Sequence, residues 1–202
     1  MAKFVQHILV INAQLPSARL FCQVAGQAGY SVTAYLTDEP ATAAADSGVR
    51  DLLERDQLAA LHVGQNAVVF FWEGSLCHPR AAGRYLAGLR NVVYAMHRVG
   101  LTRLVVTHTG RNWRSWLVFK AWCRRVGGPV ADQVQALLQA SNLRYLWVTA
   151  GAVRDGAYRT RTTVTNGPAP GTGQVNRLDL VDFLLQSLYR DRLDGTAVHV
   201  AS

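Results

Sequence analysis

The stretch His7-Ile-Leu-Val-Ile-Asn-Ala-Gln-Leu-Pro-Ser-Ala18 decides the fold of this chain. It opens with a short apolar run, which is typical of a strand buried on both faces of a parallel sheet. Apolar residues then recur at helical spacing over residues 17–29, and Gly29 stands where a glycine often ends a helix. Residues 31–36 predict a second strand. The chain therefore begins as a strand–helix–strand unit of the kind that opens a doubly wound sheet.

The same alternation of apolar strands and amphipathic helices continues along the chain. Further strands are predicted at residues 67–72, 103–108, 143–149 and 197–200, with a polar β segment at 158–165. Helices are predicted at residues 49–61, 80–99, 130–141 and 176–189, and Asn176 is the candidate N-cap of the last one. Residues 38–47 are predicted to form a loop or a short irregular helix, and residues 167–173 a loop. This order predicts one Rossmann-like α/β domain over residues 1–202, with a doubly wound, mostly parallel sheet and helices on both faces.

The chain is basic, with a formal net charge of +8, and it has no acidic residue between Glu73 and Asp132. Such a field attracts nucleic acid, anionic lipid or a phosphorylated or carboxylated ligand, but charge alone does not identify the partner. No apolar run reaches the roughly 20 residues that span a bilayer, and the N-terminal residues lack the features of a signal peptide. We therefore expect a cytoplasmic protein without a transmembrane segment, with a small aromatic or anionic molecule as its ligand. We do not expect nucleic acid as the partner, and a homodimer or a protein partner stays open.

Four phrases spread along the chain carry a resemblance to a known family. They are Ala25-Gly-Gln-Ala-Gly-Tyr-Ser-Val-Thr33, Gly64-Gln-Asn-Ala-Val-Val69, Arg90-Asn-Val-Val-Tyr-Ala-Met96 and Asn176-Arg-Leu-Asp-Leu-Val-Asp-Phe-Leu-Leu185. Through them the chain resembles the atypical short-chain dehydrogenase/reductases. It is most similar to the NAD(P)H-dependent flavin reductase and biliverdin-IXβ reductase type, which is related to NmrA-like proteins. The resemblance implies a Rossmann-like fold and a dinucleotide crevice at the carboxyl ends of the strands.

The chain departs from this family in the first phosphate-binding loop. The resemblance implies a Gly-x-x-Gly-x-x-Gly turn, whose place is taken here by residues 12–18. Asn12 is expected to adopt a positive φ, because asparagine tolerates the left-handed region. Leu15 is expected to fill the space of the pyrophosphate, and Pro16 removes an N–H that would point at it. Dinucleotide contacts in this degenerate loop would come from Asn12, Gln14, Leu15 and Ser17.

Three further positions differ from what the resemblance implies. The resemblance implies an arginine just after the second strand, which pairs with the 2′-phosphate of NADP. This chain has Thr37, Asp38 and Glu39 there, and an acidic residue such as Asp38 suits a ribose diol instead. Thr109 keeps a hydroxyl where the family has a Thr-Ser pair near the nicotinamide. Residues 149–152 match a Pro-Pro-His-like turn without the proline or the histidine. We therefore expect that conventional NAD(P)H use has been lost and that no cofactor and no metal is bound, with NAD(P)H binding as the alternative.

Polar residues at the predicted strand ends form a candidate pocket, because ligands bind outside the carboxyl ends of parallel strands. His108 and Glu73 are predicted to face this pocket together as general base and acid, with Thr109 as a third catalytic group. Trp72 and Thr107 are predicted to bind the substrate, and the indole of Trp72 would either fill the emptied cofactor groove or stack on a flat ligand. The competing interpretations are a histidine bonded within its strand end and a solvated carboxylate.

Residues 111–125 interleave three tryptophans with five cations. The resemblance implies that this region covers the substrate, so Arg111, Trp113 and Arg114 are predicted to bind it as part of a lid. The tryptophans also recur at helical spacing, which most often indicates core packing. The same pattern is compatible with a membrane-surface helix or with a stacking platform for single-stranded nucleic acid.

Three functions are compatible with these features. The first is non-redox chemistry, such as proton transfer, cyclisation, dehydration or isomerisation, on a small aromatic or polyketide-like metabolite in the old cofactor crevice. The second is an NAD(P)H-dependent flavin or quinone reductase with an unusual loop. The third is a non-catalytic, NmrA-like binding or regulatory protein. Selective loss of dinucleotide features favours the first of these, so we expect an enzyme of the isomerase, cyclase or lyase kind.

Overall fold

The computed structural model describes residues 6–37, 55–74, 79–110, 130–157, 162–167, 173–189 and 191–202. Its strands are β1 His7–Ile11, β2 Ser31–Tyr35, β3 Ala67–Glu73, β4 Arg103–Gly110, β5 Arg144–Arg154, β6 Thr163–Asn166, β7 Gln174–Asn176 and β8 Thr196–Ala201. Its helices are α1 Pro16–Gln27, α2 Arg55–His62, α3 Pro79–Val99, α4 over residues 130–140 and α5 Arg177–Ser187, followed by a 3₁₀ turn at Asp191–Leu193. None of the described helices is long and apolar enough to cross a membrane.

The strands form one sheet in the order β2-β1-β3-β4-β5-β8-β6, and β7 lies beside β5. Every pair is parallel except β6 with β8. This confirms the predicted Rossmann-like α/β fold with a mostly parallel sheet. The strand order reverses at β1, and in open α/β sheets ligands bind at such a point, outside the carboxyl ends of the strands, here β1 and β3. We call this side of the sheet the carboxyl edge and the opposite side the amino edge.

Helices cover both faces of the sheet because the central strands are apolar on both faces. The alternate residues Ile8 and Val10 pack in one core with α1 and α5, which we call the α1 face. Leu9 and Ile11 pack in the other core with α3 and α4, which we call the α3 face. Every one of these four side chains is fully buried. The continuous apolar run of β1 therefore supplies both cores, as its sequence predicts.

The local signals at both ends of the chain also have the predicted effect. Asn12 has a positive φ of 62°. The side chain of Asn176 accepts a hydrogen bond from the N–H of Leu178 at 2.9 Å and so caps α5. Helix α1 ends at Gln27, and Gly29 follows with a φ of 90°.

The turn predicted at residues 149–152 is wrong, because β5 continues through these residues to Arg154. The extension exists because β7 pairs with Ala152 to Arg154, and the sequence pattern predicts no strand at β7. The predicted loop at 38–47 lies outside the described residues, and so does part of the helix predicted at 49–61.

Candidate functional site

The turn after β1 contains no glycine, and side-chain hydrogen bonds hold its conformation. The amide of Asn12 donates to the Phe71 carbonyl at 2.6 Å, and its oxygen accepts from the Thr37 hydroxyl at 3.0 Å. The Thr37 N–H donates to the Gln14 side chain at 3.2 Å, while the Gln14 amide donates to the Thr37 hydroxyl. These bonds tie the turn to the ends of β2 and β3. Asn12 and Gln14 therefore position the loop from within it.

Leu15 fits this turn without strain, since its φ of −68° and ψ of 146° are ordinary extended backbone. Its N–H donates to the Asn12 carbonyl at 3.1 Å, and its side chain is 7% exposed within the core of the α1 face. Pro16 begins α1, where a missing N–H costs least. Leu15 is thus a core residue of the loop, and its side chain provides no cap for the helix.

The N-terminus of α1 instead holds the carboxylate of Glu73. The Ser17 N–H donates to Glu73 Oε1 at 2.8 Å. Arg177 Nη1 lies 3.6 Å from the same oxygen and donates to the Ser17 hydroxyl at 2.9 Å. We call the space bounded by the Ser17 N–H, the Ser17 hydroxyl and the Arg177 guanidinium the anion position. A negative charge there is stabilised by the helix dipole and by the arginine.

Sequence analysis missed Arg177, which links the two helices of the α1 face. It is the first residue of α5, and its Nε donates to Asp155 Oδ1 at 2.6 Å. This bond and the charge of Arg177 hold the pKa of the Asp155 carboxyl below its usual range. A cation at a helix N-terminus is opposed by the helix dipole, so it needs acidic neighbours. An arginine directly after the capping residue Asn176 was the signal that could have indicated them.

The structure does not bring Glu73 and His108 into one pocket. The register of β3 and β4 pairs Trp72 with His108 and Glu73 with Thr109. Successive side chains of a strand point to opposite faces, so Glu73 and Thr109 lie on the α1 face. His108 lies on the α3 face, where its ring is 6.0 Å from that of Tyr85. The predicted shared acid–base pocket is therefore wrong in its geometry.

His108 is held at the end of β4 by one hydrogen bond. Its Nε2 donates to the Gly74 carbonyl at 2.9 Å, so in the neutral ring Nδ1 carries the lone pair. Burial lowers the pKa of His108, against a smaller opposing effect of the bond to Gly74. The neutral imidazole therefore predominates at pH 7, as an acceptor at Nδ1.

An aromatic cluster lies beside His108 on the α3 face. The rings of Trp72 and Tyr85 are 5.3 Å apart, and Trp72 is partly exposed at the carboxyl edge. The indole nitrogen of Trp72 is buried and has no hydrogen-bond partner among the described residues. Trp72 is thus placed against Tyr85 with part of its surface open.

The remaining predicted residues are scattered or lie outside the described residues. Thr107 is fully buried, and its hydroxyl donates to the Phe70 carbonyl at 3.4 Å, which places it within the sheet. Thr109 is 3% exposed, and its carbonyl accepts from the Gly74 N–H at 3.0 Å. The predicted residues outside the described part of the chain are Asp38, Arg111, Trp113 and Arg114.

Comparison with known families finds one match that covers most of the chain. A family model described as NAD(P)H-binding matches residues 17–191. A search among curated proteins found none that matches this sequence. The family match does not support the expectation that NAD(P)H use has been lost, and it favours the reductase alternative.

Solved structures of the same fold match almost the whole chain. A Rossmann-fold NAD(P)-binding family protein from Shigella flexneri has a TM-score of 0.67 and 17% identity, over 98% of this chain and 94% of that one. A short-chain dehydrogenase/reductase from Veillonella parvula in complex with NADP has a TM-score of 0.70 and 14% identity, over 98% and 95%. An oxidoreductase from Lactococcus lactis has a TM-score of 0.71 and 12% identity, over 98% and 91%. At these identities the likeness shows the fold.

Proposed function

Because this chain belongs to the NAD(P)H-binding family, we propose that it binds a nicotinamide dinucleotide at the carboxyl edge of its sheet and acts as a reductase. Within the family, its sequence phrases favour the NmrA-related, flavin- or quinone-reducing type of atypical short-chain dehydrogenase/reductase. A bound NAD(P)H supplies a hydride for such a reduction. The protein's own residues bind, orient and shield the reactants.

The observation that carries this proposal is the carboxylate of Glu73 at the anion position. It stands in for an external anion, because a phosphate oxygen uses the same backbone N–H, hydroxyl and guanidinium donors. The position lies at the crevice between β1 and β3, where a dinucleotide places its pyrophosphate. Arg177 adds a full positive charge that a glycine turn alone lacks. The donors present therefore suit a pyrophosphate despite the missing glycines.

The other residues of the carboxyl edge suit the substrate. We assign to the neutral His108 a hydrogen bond, accepted at Nδ1, from a substrate N–H or O–H. Trp72 offers a partly exposed indole for stacking against a flat acceptor. Arg111, Trp113 and Arg114 remain proposed as the cover of this substrate. Glu73 is engaged with Ser17 and Arg177, so we assign it to the cofactor side and not to acid catalysis, with Thr109 beside it on the same face.

The reduced cofactor is proposed to be NADH. Residues 36–39 contain no arginine for the 2′-phosphate of NADP, and the carboxylate of Asp38 suits a ribose diol. A phosphate beside Asp38 and Glu39 would be repelled.

A titration with NADH and NADPH, followed by tryptophan emission, tests the proposed function. We expect saturable quenching, with NADH binding more tightly, and oxidation of NADH when a flavin or a quinone is added. The matched control is Trp72→Phe, which keeps an aromatic ring against Tyr85 and should lose much of the quenching if the ligand lies at the carboxyl edge. Absence of binding up to millimolar concentrations of both nucleotides would overturn the proposal.

A further inference from the structure

We infer that Glu73 is an internal competitor for the phosphate site, which a dinucleotide displaces when it binds, so that Glu73 and Arg177 together set the affinity. This inference rests on the proposed function. It concerns a charged side chain to which the sequence pattern gave a different, catalytic role. It also explains how a loop without glycines keeps a helix N-terminus suited to anions.

Of residues 15–17 at the start of α1, Ser17 alone has a backbone N–H that is not bonded to a backbone carbonyl. The N–H of Leu15 is bonded to the Asn12 carbonyl, and Pro16 has none. The next N–H, that of Ser17, donates to Glu73. A phosphate oxygen that is to receive this hydrogen bond has to take the place of the carboxylate, because both are aimed at the same donor.

The local charge also favours displacement. Arg177 is the cation of this cluster, and it contacts two carboxylates, those of Glu73 and Asp155. With Glu73 in place, a pyrophosphate would bring its negative charges beside a site that is already negative. Once the carboxylate of Glu73 has left, the guanidinium can turn both its charge and its Nη1 donor toward the phosphate. Displacement therefore resolves the repulsion and the competition for donors together.

The side chain of Glu73 can leave without disturbing the fold. Glu73 is the last residue of β3, and its side chain is 20% exposed. Its place in the sheet is fixed by backbone pairing with Thr109, which does not involve the carboxylate. Rotation of the side chain toward water is therefore sufficient to vacate the anion position.

Calorimetric titration with inorganic pyrophosphate, and separately with NADH, tests this inference in the full chain. Glu73→Gln keeps the size of the side chain and removes its charge, and we expect it to bind both probes about tenfold more tightly than the unsubstituted protein. The matched control is Asp155→Asn, which removes one negative charge from the outer side of the same arginine. Since Asp155 does not contact the Ser17 N–H, this variant should bind within about twofold of the unsubstituted protein. Glu73→Ala removes the side chain from the anion position. It is the control for the case in which the glutamine amide of Glu73→Gln still occupies that position.

The outcomes separate the inference from the proposed function. Tighter pyrophosphate and NADH binding by the Glu73 variants alone supports both. Tighter pyrophosphate binding without NADH binding in any variant supports the competitor role and overturns the proposed function. Equal NADH affinity in all proteins overturns the competitor role and keeps the proposed function. The inference is also overturned if Asp155→Asn gains as much affinity as the Glu73 variants, or if the Glu73 variants do not bind pyrophosphate.

Discussion

The two edges of the sheet each carry an arginine cluster, and the two clusters are built in opposite ways. At the amino edge, Asp194 is shared by Arg103 and Arg144, so one acid serves two cations. At the carboxyl edge, Arg177 is shared by Glu73 and Asp155, so one cation serves two acids. The first cluster contains a deeply buried charge, and the second includes the anion position.

Helix α5 contributes to both clusters, and its dipole explains their difference. Arg103 donates to the Ser187 carbonyl at the C-terminus of α5, where a cation is favoured. Arg177 lies at the N-terminus of the same helix, where a cation is disfavoured. The amino-edge cluster is therefore suited to stability, while the carboxyl-edge cluster holds the cation that we propose to meet an anionic ligand.

The largest expected effect on stability comes from Asp194→Asn. The change removes the carboxylate of Asp194 from Arg103, which is 4% exposed. Breaking a buried pair in this way costs about 3 kcal/mol, and urea unfolding at pH 7 measures it. Binding of NADH should be unchanged, since the substitution lies at the far edge of the sheet. A loss below about 0.5 kcal/mol would show that the two clusters do not differ as described.

A smaller effect comes from two histidines whose pKa is lowered in the folded protein, His62 near the amino edge and the partly buried His108 at the carboxyl edge. Burial lowers the pKa of each. The unfolded chain therefore takes up protons as the pH falls through about 6.5, while the folded protein does not until a lower pH. The free energy of unfolding should fall on acidification below about pH 6.5, by up to about 1.4 kcal/mol per pH unit for each histidine.

Urea unfolding at pH 7.5 and 5.5 measures whether the free energy of unfolding falls on acidification. The variant His62→Gln measures how much of that fall is due to His62. His62 is 1% exposed, and its Nδ1 bonds to the Leu58 carbonyl within α2. The variant should lose less stability between the two pH values than the unsubstituted protein. An unchanged difference would contradict a role for His62.

The smallest effect on stability is expected at the carboxyl edge. Arg177→Gln removes a side chain that is 15% exposed and should cost about 1 kcal/mol, since its ion pairs are partly solvated. NADH affinity should nevertheless fall at least tenfold, as the anion position loses its cation. In the control Asp155→Asn, a carboxylate that is 83% exposed, stability should not change measurably. A stability loss in Arg177→Gln as large as that of Asp194→Asn would contradict the proposed difference between the two arginine clusters.

The positions of the main strands were predictable, because a strand buried on both faces needs an uninterrupted apolar run. The positive φ of Asn12 and the cap at Asn176 were predictable for a similar reason, since each follows from the local chemistry of one residue. The extension of β5 was not, because it depends on pairing with β7, whose residues have no strand pattern of their own.

The candidate site was predictable only in part. Its location followed from the rule that ligands bind at the carboxyl ends of parallel strands. Trp72 and Glu73 are neighbours at the end of β3, so the sequence already implied that they face opposite sides of the sheet. Which of them shares a face with His108 depends on the register between two strands, and a single sequence does not contain that register.

The sequence by itself determined the alternation of strands and helices, the turn at Asn12, the cap at Asn176 and the absence of glycine from residues 12–18. Each of these is a property of residues that are neighbours along the chain. Only the tertiary structure decided that Glu73 would cap α1 and that Arg177 would hold it there. This contact joins the ends of β3, α1 and α5, which are far apart in sequence. It forms because the parallel sheet brings its carboxyl ends and the N-termini of the helices on one face to the same edge.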